Sequence, residues 1–338
     1  MAPMAVSSIS ANYRNPFHSA LVAGFSLVEL MVALLLGSFV IGGVVSVYLV
    51  TANTSALNQQ ISALQQTEQF SFQLFSKDVQ HAGFIGCANM NQTRVISVVL
   101  HPNAAHQRWT DWQNIPGIRG YEAGAVPNFA GSAITPVSGS DAVQLKYAGG
   151  PSTAVVSHTG TAISLAHNSA ALAAKDVVVV CDSKMAAMFK ISQFTASSMT
   201  IHHESATNHS PNLGFGPNGV WVPQHLSADA GTVMPLESVA WFVGAVNGRQ
   251  SLYRVRYHAE QVQAEEIVSD VESLQLSYLV AGDNQYVNGE STDFNGAATV
   301  DWGRAVSVRA TLVLKPDAQS PLALGNRTFS HVINLRNH

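Results

Sequence analysis

The sequence predicts an α+β protein in which one long N-terminal helix packs on antiparallel β-sheet. Three observations carry this expectation. Residues 25–50 are apolar but for a single charge, Glu29. Residues 51–82 keep an apolar stripe at helical spacing, and beyond Gly83 the chain breaks into short alternating runs between turns.

The apolar run comes first, and at 26 residues it is long enough to cross a bilayer as a helix. A carboxylate inside such a run costs about 3 kcal/mol at mid-membrane, which makes Glu29 a functional candidate. Residues 1–23 contain Arg14 and His18 and no acidic residue, and the next basic residue after the run is Lys77. Positive flanks stay cytoplasmic, so the N-terminus is expected inside and everything after Val50 outside. Gly37, Gly42 and Gly43 each weaken the helix by about 1 kcal/mol. They either allow close helix packing or reflect the ordinary glycine content of membrane helices.

From Thr51 the pattern turns amphipathic. Leu57, Ile61, Leu64, Phe72, Phe75 and Val79 recur at helical spacing with Glu68 as the one interruption, and glutamines fill the positions between. No proline occurs between Pro16 and Pro102, so a continuous helix from Phe25 to about His81 is expected, ended by Gly83 and Gly86.

Strands are expected at 94–100, 142–147, 162–165, 177–181, 188–194, 199–202, 238–246, 251–257, 271–279, 305–314 and 329–335. Residues 252–257 and 307–314 alternate as half-buried antiparallel strands do. The expected organisation is a leader over 1–24, a membrane half-helix over 25–50, an amphipathic half-helix over 51–82 and a β-rich part over 83–338. The last divides into lobes at 83–230 and 231–338, meeting near 226–234.

Charged residues are only 11% and the net charge is −4, with Arg249, Arg254 and Arg256 the one close basic group. No polyanion-binding face follows, and no nucleic-acid partner is expected. Cys87 and Cys181 fall on the expected outer side, where disulfides persist. A bridge between them closes a loop that the chain-entropy model values at about 4–5 kcal/mol, an upper figure. Two free buried thiols are the alternative.

Enzyme chemistry finds little support. His202, His203 and Glu204, with His209 and His225, are the best ligand candidates, but their spacing fits no helix-borne zinc motif and adjacent histidines on a strand face opposite ways. No nucleophile elbow, phosphate loop or dinucleotide fingerprint is present. No cofactor and no metal are expected.

The string Gly24-Phe25-Ser26-Leu27-Val28-Glu29 resembles the processing site of type IV prepilins. In that family a membrane aspartyl peptidase cuts after the glycine and the new terminal phenylalanine is N-methylated. The cut precedes the apolar run, which therefore stays in the mature chain; an ordinary signal anchor with a stray Glu is the plainer alternative. Residues 75–87, 177–191, 251–254, 266–278, 302–314 and 329–336 are similar to PilW-type minor pilins. The loop Gly282-Asp283-Asn284-Gln285 departs from the Asp-rich repeat often found there, so no calcium is inferred.

The resemblance implies a structural subunit of a type IV pilus that starts or supports assembly, and hence adhesion or motility. It resides in the inner membrane and then in the surface fibre. Its implied partners are the prepilin peptidase, other minor pilins, the major pilin and a tip adhesin. In that reading Gly24 and Phe25 are the processing residues and Glu29 the assembly residue. A pseudopilin of a general (type II) secretion system and a fibre-tip binding subunit are the alternatives.

Overall fold

Helix α1 runs from Leu27 to His81 without a break. The computed structural model describes residues 24, 26–86, 95–101, 103–183, 185–215, 221–226, 231–291, 299–315 and 325–336. The leader before Gly24, Phe25 and Cys87 lie outside the described residues. The chain divides into two compact units, Met1–Gln60 and Ile61–His338. In the first, α1 is exposed almost throughout.

In the second unit the rest of α1 is followed by β1 (Val95–Ser97), α2 (Ala104–Thr110), β2 (Ile118–Tyr121), β3 (Thr135–Pro136) and β4 (Ala142–Ala148). Then come β5 (Thr153–Thr159), β6 (Ala162–Leu165), β7 (Val177–Cys181), β8 (Ala186–Lys190), β9 (Gln193–Thr195) and β10 (Thr200–His202). The short pair β11 (Gly214–Phe215) and β12 (Trp221–Val222) leads to β13 (Thr232–Val246), β14 (Arg249–His258) and β15 (Gln261–Ser269). Last are β16 (Val271–Val280), β17 (Ala305–Leu314) and β18 (Arg327–Asn334). Among the strands described, pairing is antiparallel except that β1 runs parallel to β8, and an isolated parallel bridge joins Tyr121 to Glu290.

Strand β13 organises the sheet. Residues 232–235 pair with β7, and Thr232 and Val233 also with β5, whereas residues 236–242 pair with β4 and residues 238–246 with β14. The expected meeting of two lobes near 226–234 therefore falls where β13 begins, and β13 itself belongs to both groups of strands. β16, β17 and β18 form a separate three-stranded antiparallel sheet.

The amphipathic stripe explains the main core. Phe72, Phe75 and Val79 are buried against Val143, Trp241, Leu276, Val308 and Leu312, so α1 contributes its apolar face to a core shared by both sheets. Fully burying each such side chain contributes about 1.5–3 kcal/mol. After His81 the chain turns at Gly83, whose φ is +80°. Its amide donates to the Lys146 carbonyl at 2.9 Å. A Cβ on the facing Gly117 would sit 2.6 Å from Gly83 Cα, so the helix end needs glycine on both sides of this contact.

Candidate functional site

The N-terminal unit supplies the first candidate element. α1 is long and apolar enough to cross a membrane, and none of its most apolar window is buried. Gly24 is exposed, and the helix opens just after it, with the Leu30 amide donating to the Ser26 carbonyl at 3.1 Å. Glu29 lies in the first turn and is exposed. There a carboxylate also suits the partial positive charge of the unpaired amides. Ser38, Ser46, Thr51 and Thr54 each donate a hydroxyl proton to a carbonyl three or four residues back, at 2.8–2.9 Å. Such bonds satisfy the hydroxyls within the helix itself.

The second element is the anchor of α1 on the sheet. Asp78 lies on the apolar stripe, three residues after Phe75, and its side chain is 1% exposed. Arg254 of β14 donates Nε to Asp78 Oδ2 at 2.7 Å and Nη2 to Oδ1 at 2.8 Å. Trp241 Nε1 donates to Oδ2 at 2.8 Å and Tyr147 Oη to Oδ1 at 2.9 Å. Burial works against the Arg254 charge, yet the Asp78 bonds and charge outweigh it and hold the guanidinium above its ordinary value. Burial, then the Asp78 charge, push the Tyr147 phenol well up, so it remains a donor. Glu68, the interruption in the stripe, is buried and bonded to His331 of β18.

Sequence reasoning missed Asp78, Arg254, His158 and Lys146. The signal for the first was a carboxylate at a stripe position together with an arginine in an alternating strand. Lys146 is fully buried, burial pushes its amine down to about 7, and Nζ donates to the Asp111 carbonyl at the end of α2.

Among the proposed ligands only His203 and His225 gather, and they do so around His158. His203 is buried, its Nε2 lies 2.9 Å from His158 Nε2, and the His225 ring centroid is 4.6 Å from that of His158. The Leu226 amide donates to His158 Nδ1 at 3.0 Å, so the His158 proton sits on Nε2 and is donated to His203. His209 instead lies near His101, with ring centroids 6.2 Å apart. Among the described residues no group of three or more His, Cys, Asp or Glu side chains is arranged to hold a metal ion.

Cys181 ends β7, buried, with Sγ 3.2 Å from the Ile85 carbonyl oxygen. A Cβ on Gly86 would lie 3.2 Å from the same sulfur. Residue 86 is thus brought against Cys181, while Cys87 itself lies outside the described residues.

The family model of type IV pilus-assembly protein W matches residues 240–337, from within β13 past β18. The match supports a type IV pilus-related family and involvement in pilus assembly. No curated protein and no solved structure matches the chain.

Proposed function

We propose that this chain is a minor pilin, a non-catalytic subunit that is cut between Gly24 and Phe25 and then starts or supports assembly of a type IV pilus. The observation that carries the reading is a single exposed carboxylate, Glu29, at the start of an exposed apolar helix in a chain with the pilus-assembly match. Cutting after Gly24 frees a positive amine on Phe25. A helix beginning there directs that amine away from Glu29 of the same chain, so its partner is Glu29 of a neighbouring subunit. In low-dielectric surroundings an unpaired charge costs several kcal/mol, so this pairing sets the axial register between subunits. Partners are then the prepilin peptidase, other minor pilins, the major pilin and a tip adhesin, with residence in the inner membrane before the fibre.

Deleting the gene and imaging the cells tests this. Surface pili should fall sharply and return on complementation. Unchanged pili with impaired protein secretion would replace the reading by the pseudopilin one.

A further inference from the structure

Strand β15 is the anomaly of the second unit. It pairs with β14 and, among the described residues, with no other strand, so the backbone amides and carbonyls along its outer edge have no ladder partner. Its first six residues, Gln261 to Glu266, are all exposed, although alternate positions of a sheet with one covered face ought to be buried. Opposite them on β14, Tyr253, Val255 and Tyr257 are buried in an aromatic core with Trp109 and Phe242. The apolar face therefore continues onto Val262, 41% exposed, and Ala264 without cover.

Edge strands are ordinarily blunted by charged side chains, lysine above all, or by proline, a bulge or shortness. β15 has nine residues and neither Lys nor Pro; its charges are confined to Glu265 and Glu266 and its only register shift lies beside them, so Gln261 to Ala264 carry none of these devices. Its free end is also held in place. The turn residues Ala259 and Glu260 have φ of +48° and +66°, a left-handed conformation costly for both. Glu260 is held by Lys190 Nζ at 2.7 Å, and Tyr257 Oη bonds His106 Nδ1 at 2.9 Å. The edge is thus preorganised.

Charge identifies what it fits. Glu265 stands opposite Arg254 across the ladder, but Arg254 is turned to Asp78 through two hydrogen bonds. Glu265 adds its charge to the field that holds Arg254 protonated, yet among the described residues it makes no close ion pair, so its outer side is open to a second cation. A second copy of this chain would bring its own Glu265 and Glu266 to the same edge. We propose that β15 is a strand-addition site for an extended segment of another protein. That segment sets Lys or Arg beside Glu265 and small apolar side chains beside Val262 and Ala264. The proposal stands on the strand edge and not on the pilus reading.

The test places a photo-crosslinking amino acid at Gln263 of the full chain in its own cells, with Val156 on β5 as control site. The expected result is an adduct specific to position 263. Its peptides should map to one contiguous run in another protein, with a basic residue two positions from the crosslink. Glu265→Lys should lower the adduct at least about fivefold, the weight of one interfacial charge pair, after normalisation to the folded fraction, because it sets a like charge opposite Arg254. Glu265→Gln, the milder variant, should lower it less. No adduct above control, an adduct to a second copy, or adduct yields indifferent to both variants would overturn the proposal. An adduct to a protein outside any pilus would keep strand addition and remove the pilus reading.

Discussion

Asp78 and Arg254, 176 residues apart, meet through two hydrogen bonds of 2.7 and 2.8 Å and tie α1 to β14. With Trp241 and Tyr147 they fill the carboxylate's acceptor sites, so the charge is both buried and satisfied.

Asp78→Ala is expected to destabilise the second unit by about 3–5 kcal/mol, because Arg254 is left charged and buried without its partner. Asp78→Ala with Arg254→Met should recover part of that loss, since both charges then go. Denaturant unfolding of the full chain in detergent measures both. Additive losses in the double variant would contradict the coupling.

Glu29→Ala should keep leader cleavage and outer folding and yet block entry into fibres. Removing the carboxylate eases membrane residence by about 2–3 kcal/mol and deprives the incoming amine of its partner. Quantifying the protein in membranes and in sheared pili reads both effects. A wild-type level in sheared fibres would refute the assembly role.

Processing should occur between Gly24 and Phe25, leaving a mature chain that begins at methylated Phe25. A side chain at residue 24 would add a Cβ where the backbone must enter a narrow cleft, so Gly24→Val should retain its leader. Mass spectrometry of the purified chain decides between the two N-termini.

Cys87 and Cys181 are expected to be bridged, because Ile85 and Gly86 already lie against the Cys181 sulfur. Alkylation without reductant should leave both unmodified, and peptide mapping should recover one linked pair. Modification of both thiols in the native protein would exclude the bridge.

Stability should decline as pH falls from about 6.5 to about 4. Burial first, and the neighbouring imidazoles next, depress His158 and His203 to about 4. Between those values the unfolded chain binds more protons than the folded one, so this pair makes stability rise with pH. The slope is less than the about 1.4 kcal/mol per pH unit of a fully buried group, because solvent screens part of His158. Below about pH 4 the dependence from this pair is exhausted. His203→Gln should flatten the slope of the denaturation midpoint against pH in this window, and an unchanged slope would remove the pair as its cause.

The helix was legible because periodicity reports burial directly: Phe72, Phe75 and Val79 repeat as the core requires. Asp78 obeys the same period but was invisible to a criterion that counts only apolar residues. β15 was missed for the opposite reason, since Gln261 to Glu266 bury neither face and leave no alternation to read. β13 proved longer at its start than its apolar run, because Pro235 and Glu237 look like breakers until the strands on either side are known. Gly24 and Glu29 could be proposed from sequence because they fall in one short contiguous string. His158, in contrast, lies 45 residues from His203. Only a fold brings such groups together.

The inward bonds of Ser38 and Ser46, both within the apolar run, give one side-chain arrangement suited to two solvents. A hydroxyl that spends its proton on its own helix asks for nothing new when acyl chains are exchanged for packed protein. For these two groups such a transfer would break no hydrogen bond. Along the apolar run, what would discriminate lipid from protein is then reduced to shape, the dispersion gained by close packing, and the fate of Glu29.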